Sequence, residues 1–218
     1  MNVILFGATG MVGQGVLRQC LLDPKVESVI SIGRKASGVS HPKLRDIVRA
    51  DMFDFGVSAG ELEGYDTCFF CLGVSSLRKS EAEYTHLTYD LTMGWARALA
   101  RVNPGLKFLY VSGMGTGGEG MWARVKGRTE NDLLALFPAA IMIRLGALRP
   151  MHGERSKAPG GGFLLTVLSP LWPILQRLWP NSVITTEELG RAMISAARDG
   201  GGSRVLESAD LVALGRHG

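Results

Sequence analysis

Residues 3–13 read VILFGATGMVG, a short apolar run that ends in a glycine-rich turn and opens directly into a helix-period segment, Met11–Leu22. Gly7, Gly10 and Gly13 recur every third residue. In a strand–turn–helix setting each has its own task. The first permits the tight turn, the second lets backbone approach a diphosphate, and the third lets helix and strand pack closely. The new helix also offers unbonded N–H groups to an anion. The stretch therefore predicts a dinucleotide cradle formed by the amides of residues 6–12, including those of Thr9, Met11 and Val12.

Working outward, apolar runs at 29–32, 44–48, 67–72, 107–112 and 140–145 alternate with helical segments. One long helix is expected over 81–102 and another around Lys126. Such alternation implies an α/β fold, a doubly wound parallel sheet with helices on both faces. The 218 residues fit a single Rossmann domain, with 147–182 as a substrate-side or lid segment. Residues 146–162 read as loop. The TTEE of residues 185–188 resembles a capping box opening a helix to about Arg198. The end of the chain reads as one short strand and a terminal turn.

Composition narrows the class. Hydrophobic residues make up 46% of the chain, enough for a buried core. The formal charge is +4, but the 24 Lys and Arg are scattered, without the stripe that nucleic-acid binding requires. Cys20, Cys68 and Cys71 are an odd, sparse set, which suits a reducing compartment and a cytoplasmic location. Cys68 and Cys71 lie in an apolar strand, where residues three apart face opposite ways, so the pair reads as structural. The N-terminus has no basic region before its apolar run and does not read as a signal peptide. No apolar stretch reaches the span of a membrane helix. The four histidines, His41, His86, His152 and His217, show no ligand spacing, so no metal site is expected.

The second strand ends in Gly33, Arg34 and Lys35, where an NAD site usually carries an acidic residue for the ribose. A carboxylate repels a 2′-phosphate, whereas guanidinium pairs with it. The expected cofactor is therefore NADP ahead of NAD. Asp51, with Met52 beside it, is positioned after the third strand to accept from the adenine amino group. Cys71, Leu72 and Gly73 form the tip of the fourth strand, and Ser75, Ser76 and Lys79 follow at the nicotinamide end.

These pieces, with YVSGMG around Ser112 and WARVKGRTE around Lys126, resemble the short-chain dehydrogenase/reductase superfamily. The narrower likeness is to its small, atypical, epimerase/dehydratase-like members, and it covers roughly residues 1–145. The resemblance implies that Ser112 orients a substrate carbonyl or hydroxyl, and that Lys126 binds the nicotinamide ribose. In catalytic relatives a tyrosine four residues before the lysine moves the proton; here that position holds Trp122. An indole N–H donates a hydrogen bond but does not titrate near neutrality, as a tuned phenol can. Loss of a general acid costs about 10²- to 10⁴-fold in rate. Substitute acids by the same likeness are Tyr84, His86, Tyr89 and Asp90. RLGALRP, with Arg144, Gly146 and Pro150, resembles the turn after the sixth strand, and Arg149 and Arg155 are candidate contacts for an anionic substrate.

The apolar segment 163–180, with Trp172 and Trp179, suits a pocket cover or a homodimer face better than a membrane surface. Two functions stay open on these residues. One is an NADP(H)-dependent oxidoreductase or epimerase-like enzyme on a small, hydrophobic molecule. The other is a non-catalytic NADP(H) sensor that acts through a protein partner.

Overall fold

The structure, a computed structural model, describes residues 1–56, 60–154 and 183–217. The opening stretch forms β1 (Asn2–Phe6) and α1 (Met11–Leu22). Around β1 stand β2 (Ser28–Gly33), β3 (Leu44–Val48), β4 (Thr67–Phe70), β5 (Lys107–Val111), β6 (Ile141–Arg144) and β9 (Val205–Glu207). They form one seven-stranded sheet in the order β3-β2-β1-β4-β5-β6-β9, and every neighbouring pair is parallel. The expected doubly wound α/β fold is therefore present. Strand order reverses at β1 and β4, which is where such sheets open a crevice at their carboxyl ends.

Alternation along β1 sorts the core into two layers. Val3 and Leu5 pack with α1, α5 (Thr186–Asp199) and α6 (Ser208–His217). Ile4 and Phe6 pack on the other face, with Trp95 and Met93 of α3 (Leu91–Val102) and Val125 and Leu133 of α4 (Met121–Leu136). Cys68 joins the second layer and Cys71 borders the first, as opposite strand faces require. Burial pushes all three thiols up from their ordinary value, so they stay protonated and unreactive.

Locally encoded features appear where the sequence puts them. The Thr185 hydroxyl accepts from the Glu188 amide at 3.1 Å, and the Glu188 carboxylate accepts from the Thr185 amide at 2.9 Å, completing the capping box. Three expectations need correction. The single helix over 81–102 is α2 (Glu81–Thr85), a π turn (His86–Asp90) and α3, and the Thr92 hydroxyl donates to the Thr88 carbonyl at 2.5 Å beside that turn. One extra residue in a turn rotates the later positions by about 100°, a phase shift that two short apolar stretches do not announce. The segment read as loop contains β7 (Ala147–Arg149), which pairs in parallel with β8 (Val183–Thr185) in a separate two-stranded sheet. The terminal turn is the helix α6, started by an Asp210 side chain that accepts from the Glu207 amide at 2.9 Å. Residues 155–182, with the apolar segment 163–180, lie outside the described residues. Among the described residues no helix is long and apolar enough to cross a membrane.

Close approach of backbones fixes α1 against the sheet. A Cβ at Gly13 would lie 2.1 Å from the Gly7 carbonyl oxygen, so nothing larger than hydrogen fits. At Gly10 the nearest such atom is the Gly7 oxygen at 3.4 Å. Gly13→Ala is expected to cost at least about 2 kcal/mol of stability, and Gly10→Ala under about 1 kcal/mol. Thermal and urea unfolding of the two variants checks the contrast.

Candidate functional site

At the carboxyl ends of β1, β2, β4 and β5 lies a cavity of about 1280 Å³. Its floor is the turn after β1. Gly7 holds φ at +84°, and a Cβ there would meet the Cys71 carbonyl oxygen at 2.7 Å, so the turn touches the backbone following β4. The Gly10 amide donates to Gly7 at 2.9 Å, and the Gln14 side chain donates to the Thr9 carbonyl at 3.0 Å, pinning the loop. Gly10 is the N-cap of α1 and supplies no side-chain cap, and the first turn carries no acidic residue. Its leading amides therefore point at the cavity without a protein partner of their own.

The lining reproduces most of the expected set: Gly7, Thr9, Gly10, Met11 and Val12, then Arg34 and Lys35 after β2, then Met52. Cys71, Leu72 and Gly73 continue it, and Ser112 and Lys126 stand at the far end. Gly13 lies behind the turn, as its packing task requires. Asp51 is exposed, and its side chain accepts from the Phe53 amide at 2.8 Å. It caps its own loop and lies off the cavity lining. Ser75 and Lys79 line the cavity, whereas Ser76 does not.

Charge along this surface is one-sided. Arg34, Lys35, Arg78, Lys79 and Lys126 line it, with no Asp or Glu among the described lining residues. Lys79 is paired with Glu83 at 2.5 Å, whereas Arg34 and Lys35 are exposed and make no ion pair among the described residues. Arg78 was not anticipated. Among the described residues it is the non-glycine residue with positive φ, at 61°, and no local pattern in SSLRKS announces that conformation.

The end of the cavity that holds Ser112 and Lys126 is built from β5, α4 and β6. Ser112 follows β5, is 7% exposed, and donates to the Glu130 carboxylate at 2.6 Å. Glu130, 1% exposed, is gripped by Arg144 through Nη2 at 2.7 Å and Nε at 3.2 Å to both oxygens. Arg144 also donates to Glu207 at 3.2 Å, and these partners raise its affinity for its proton. Sequence reasoning missed Glu130, although it lies four residues after Lys126 and so shares its helical face. Lys126 Nζ sits 5.8 Å from the Tyr110 ring centre. Burial lowers the Lys126 pKa to about 8, against a smaller opposing pull from Glu130.

The proposed substitute acids are elsewhere. Tyr84 is 2% exposed in the core, and Tyr89 donates to Asp132 at 2.5 Å under the Arg128 guanidinium. His86 stacks on Phe53 at 4.2 Å and pairs with Asp90 at 3.3 Å. None of them lines the cavity. Trp122 does not line it either. A Cβ at Gly113, Gly115 or Gly120 would meet its indole at 3.7, 3.7 and 3.5 Å, so the ring lies over the glycine-rich loop 113–120. Arg149 belongs to β7, away from the lining, and Arg155 lies outside the described residues.

No family model matches the chain. Protein FMP52, mitochondrial, of Debaryomyces hansenii is 29% identical over 166 residues, covering 73% of this chain and 71% of that protein. Protein fmp52-2, mitochondrial, of Aspergillus terreus is 28% identical, covering 97% and 96%. Among solved structures, a UDP-N-acetylglucosamine 4-epimerase from Methanobrevibacter ruminantium superposes with a TM-score of 0.71 at 17% identity, over 94% of this chain and 75% of that one. A UDP-glucuronic acid 4-epimerase from Bacillus cereus, solved with NAD, gives 0.68 at 13% identity, over 95% and 76%. The fold is thus the Rossmann architecture of these enzymes. The relatives are mitochondrial by name, which overturns the cytoplasmic location expected from sparse cysteines.

The lowered Lys126 pKa has a signed consequence. Between about pH 8 and the ordinary lysine value of 10.5, the unfolded chain binds the proton that the folded chain has released. Stability from this group therefore rises with pH across that window, by at most about 1.4 kcal/mol per pH unit. Lys126→Met is expected to flatten that rise in urea unfolding at pH 7.5, 8.5 and 9.5.

Proposed function

We propose that the cavity binds a nicotinamide dinucleotide, NADP(H) ahead of NAD(H), and that the chain is an oxidoreductase or epimerase-like enzyme acting on a small molecule. The observation that carries this reading is the cavity wall: an uncapped helix start over a glycine turn, and five cationic side chains with no carboxylate among the described lining residues. The residues fit the group. The Cβ positions of Gly7 and Gly13 are filled by backbone, whereas Gly10 lies open on the lining, as a close approach to diphosphate needs. Arg34 and Lys35 have the charge and freedom to hold a 2′-phosphate. Solved neighbours of the same fold carry NAD by name, and this supports the dinucleotide while leaving the phosphate preference to the two cations.

When bound, the nicotinamide supplies hydride exchange with a substrate carbon. The chain's own residues supply the rest. Lys126 holds ribose hydroxyls and places a positive charge beside the reacting group, and Ser112 orients that group. A sensing role without turnover is the second reading, favoured by Trp122, whose indole lies over the loop 113–120 and leaves the cavity without a phenol.

Calorimetric titration is expected to give at least a tenfold tighter Kd for NADPH than for NADH, with Arg34→Ala closing most of that gap; equal affinities in the parent chain would remove the preference. Trp122→Tyr is expected to raise carbonyl-reductase turnover by about 10²-fold or more if the site is a catalytic one that lacks its acid. Unchanged turnover with the dinucleotide still bound selects the sensor.

A further inference from the structure

The direction of one hydrogen bond sets what the reacting end can recognise. Ser112 Oγ lies 2.6 Å from Glu130 Oε1 and 3.4 Å from the Ile143 carbonyl oxygen. Three donations from the Arg144 guanidinium reach Glu130, one to Oε1 and two to Oε2. With both carboxylate oxygens serving as acceptors, the proton between Ser112 and Glu130 is the serine's own. The second neighbour, a carbonyl, also only accepts. Neither Glu130 nor Ile143 lines the cavity, so both draw the hydroxyl proton away from it.

A serine hydroxyl carries one proton and two lone pairs. Once that proton is spent on a carboxylate, the oxygen faces the cavity as an acceptor only. A carbonyl oxygen, which also only accepts, gains nothing from such a serine. A hydroxyl gains a bond, because its O–H can donate to Oγ while its own lone pairs accept a hydrogen bond from Lys126, which also lines the cavity. A donation to a carboxylate also leaves Oγ a better acceptor than a free hydroxyl. Burying a charge pair this deep costs desolvation that apolar residues would avoid.

We propose that Glu130 is a positioning residue that fixes the polarity of Ser112, so that the site takes its small molecule as an alcohol presenting a hydroxyl donor, ahead of the matching ketone or aldehyde. This rests on the dinucleotide-site reading for the placement of the reacting group. The polarity itself belongs to the chain alone.

Two measurements test it without turnover. Neutron diffraction from deuterium-exchanged crystals of the full chain is expected to show the Ser112 deuteron on the line to Glu130 Oε1. A deuteron on Glu130, or a Ser112 deuteron aimed into the cavity, would overturn the proposal. Saturation-transfer NMR with cyclohexanol and cyclohexanone is expected to give at least a fivefold tighter Kd for the alcohol. Ser112→Ala and Glu130→Gln are expected to reduce the ratio to within twofold of one. Retention of the alcohol preference in soluble Ser112→Ala overturns the proposal even if Glu130→Gln does not fold. Loss of NADPH binding in the parent chain would count against the dinucleotide reading, while the deuteron position would still decide the serine's polarity.

Discussion

Everything at the carboxyl edge of the sheet depends on one contact made without side chains. The turn after β1 is pressed between the backbone following β4 and the start of α1, with room for no Cβ at Gly7 or Gly13. That compression brings the first helical amides to the mouth of the crevice and aims the axis of α1 at it. A helix start without a capping side chain leaves donors unmatched, and their natural complement is an anion. The surrounding wall has the same preference, since its charged groups are all basic among the described residues. Geometry and charge thus agree before any ligand is considered.

Much of this was legible in the sequence because it is local. Glycine spacing, strand alternation and the Thr185–Glu188 box each depend on residues within a few positions of one another, and each appears where expected. What escaped depends on distant partners. β7 exists because β8 pairs with it across a long gap in the chain, and no pattern in GALRP shows that. Asp51 was read from its place after a strand, and folding adds a local bond from the Phe53 amide. Glu130 lies on the same helical face as Lys126, but its importance comes from Arg144 on β6, which only folding brings alongside.

Trp122, which the family resemblance sets at the tyrosine position, does not line the cavity. The likeness reads α4 by position alone, and the side chain at that position lies over loop 113–120. An indole is a larger planar ring system than a phenol, and the glycines at 113, 115 and 120 offer it a smooth surface. Among the described lining residues, the far end of the cavity holds a serine tied to Glu130 and a lysine whose pKa burial lowers to about 8.

Behind the crevice, three helices meet backbone to backbone. A Cβ at Gly15 would strike Thr186 at 2.7 Å, one at Gly190 would strike the Gln19 side chain at 2.5 Å, and one at Gly215 would strike the Glu188 carbonyl at 2.3 Å. Helices locked at that distance cannot slide past each other by small steps, because each step would drive backbone into backbone. The rear of the domain therefore works as a fixed anvil.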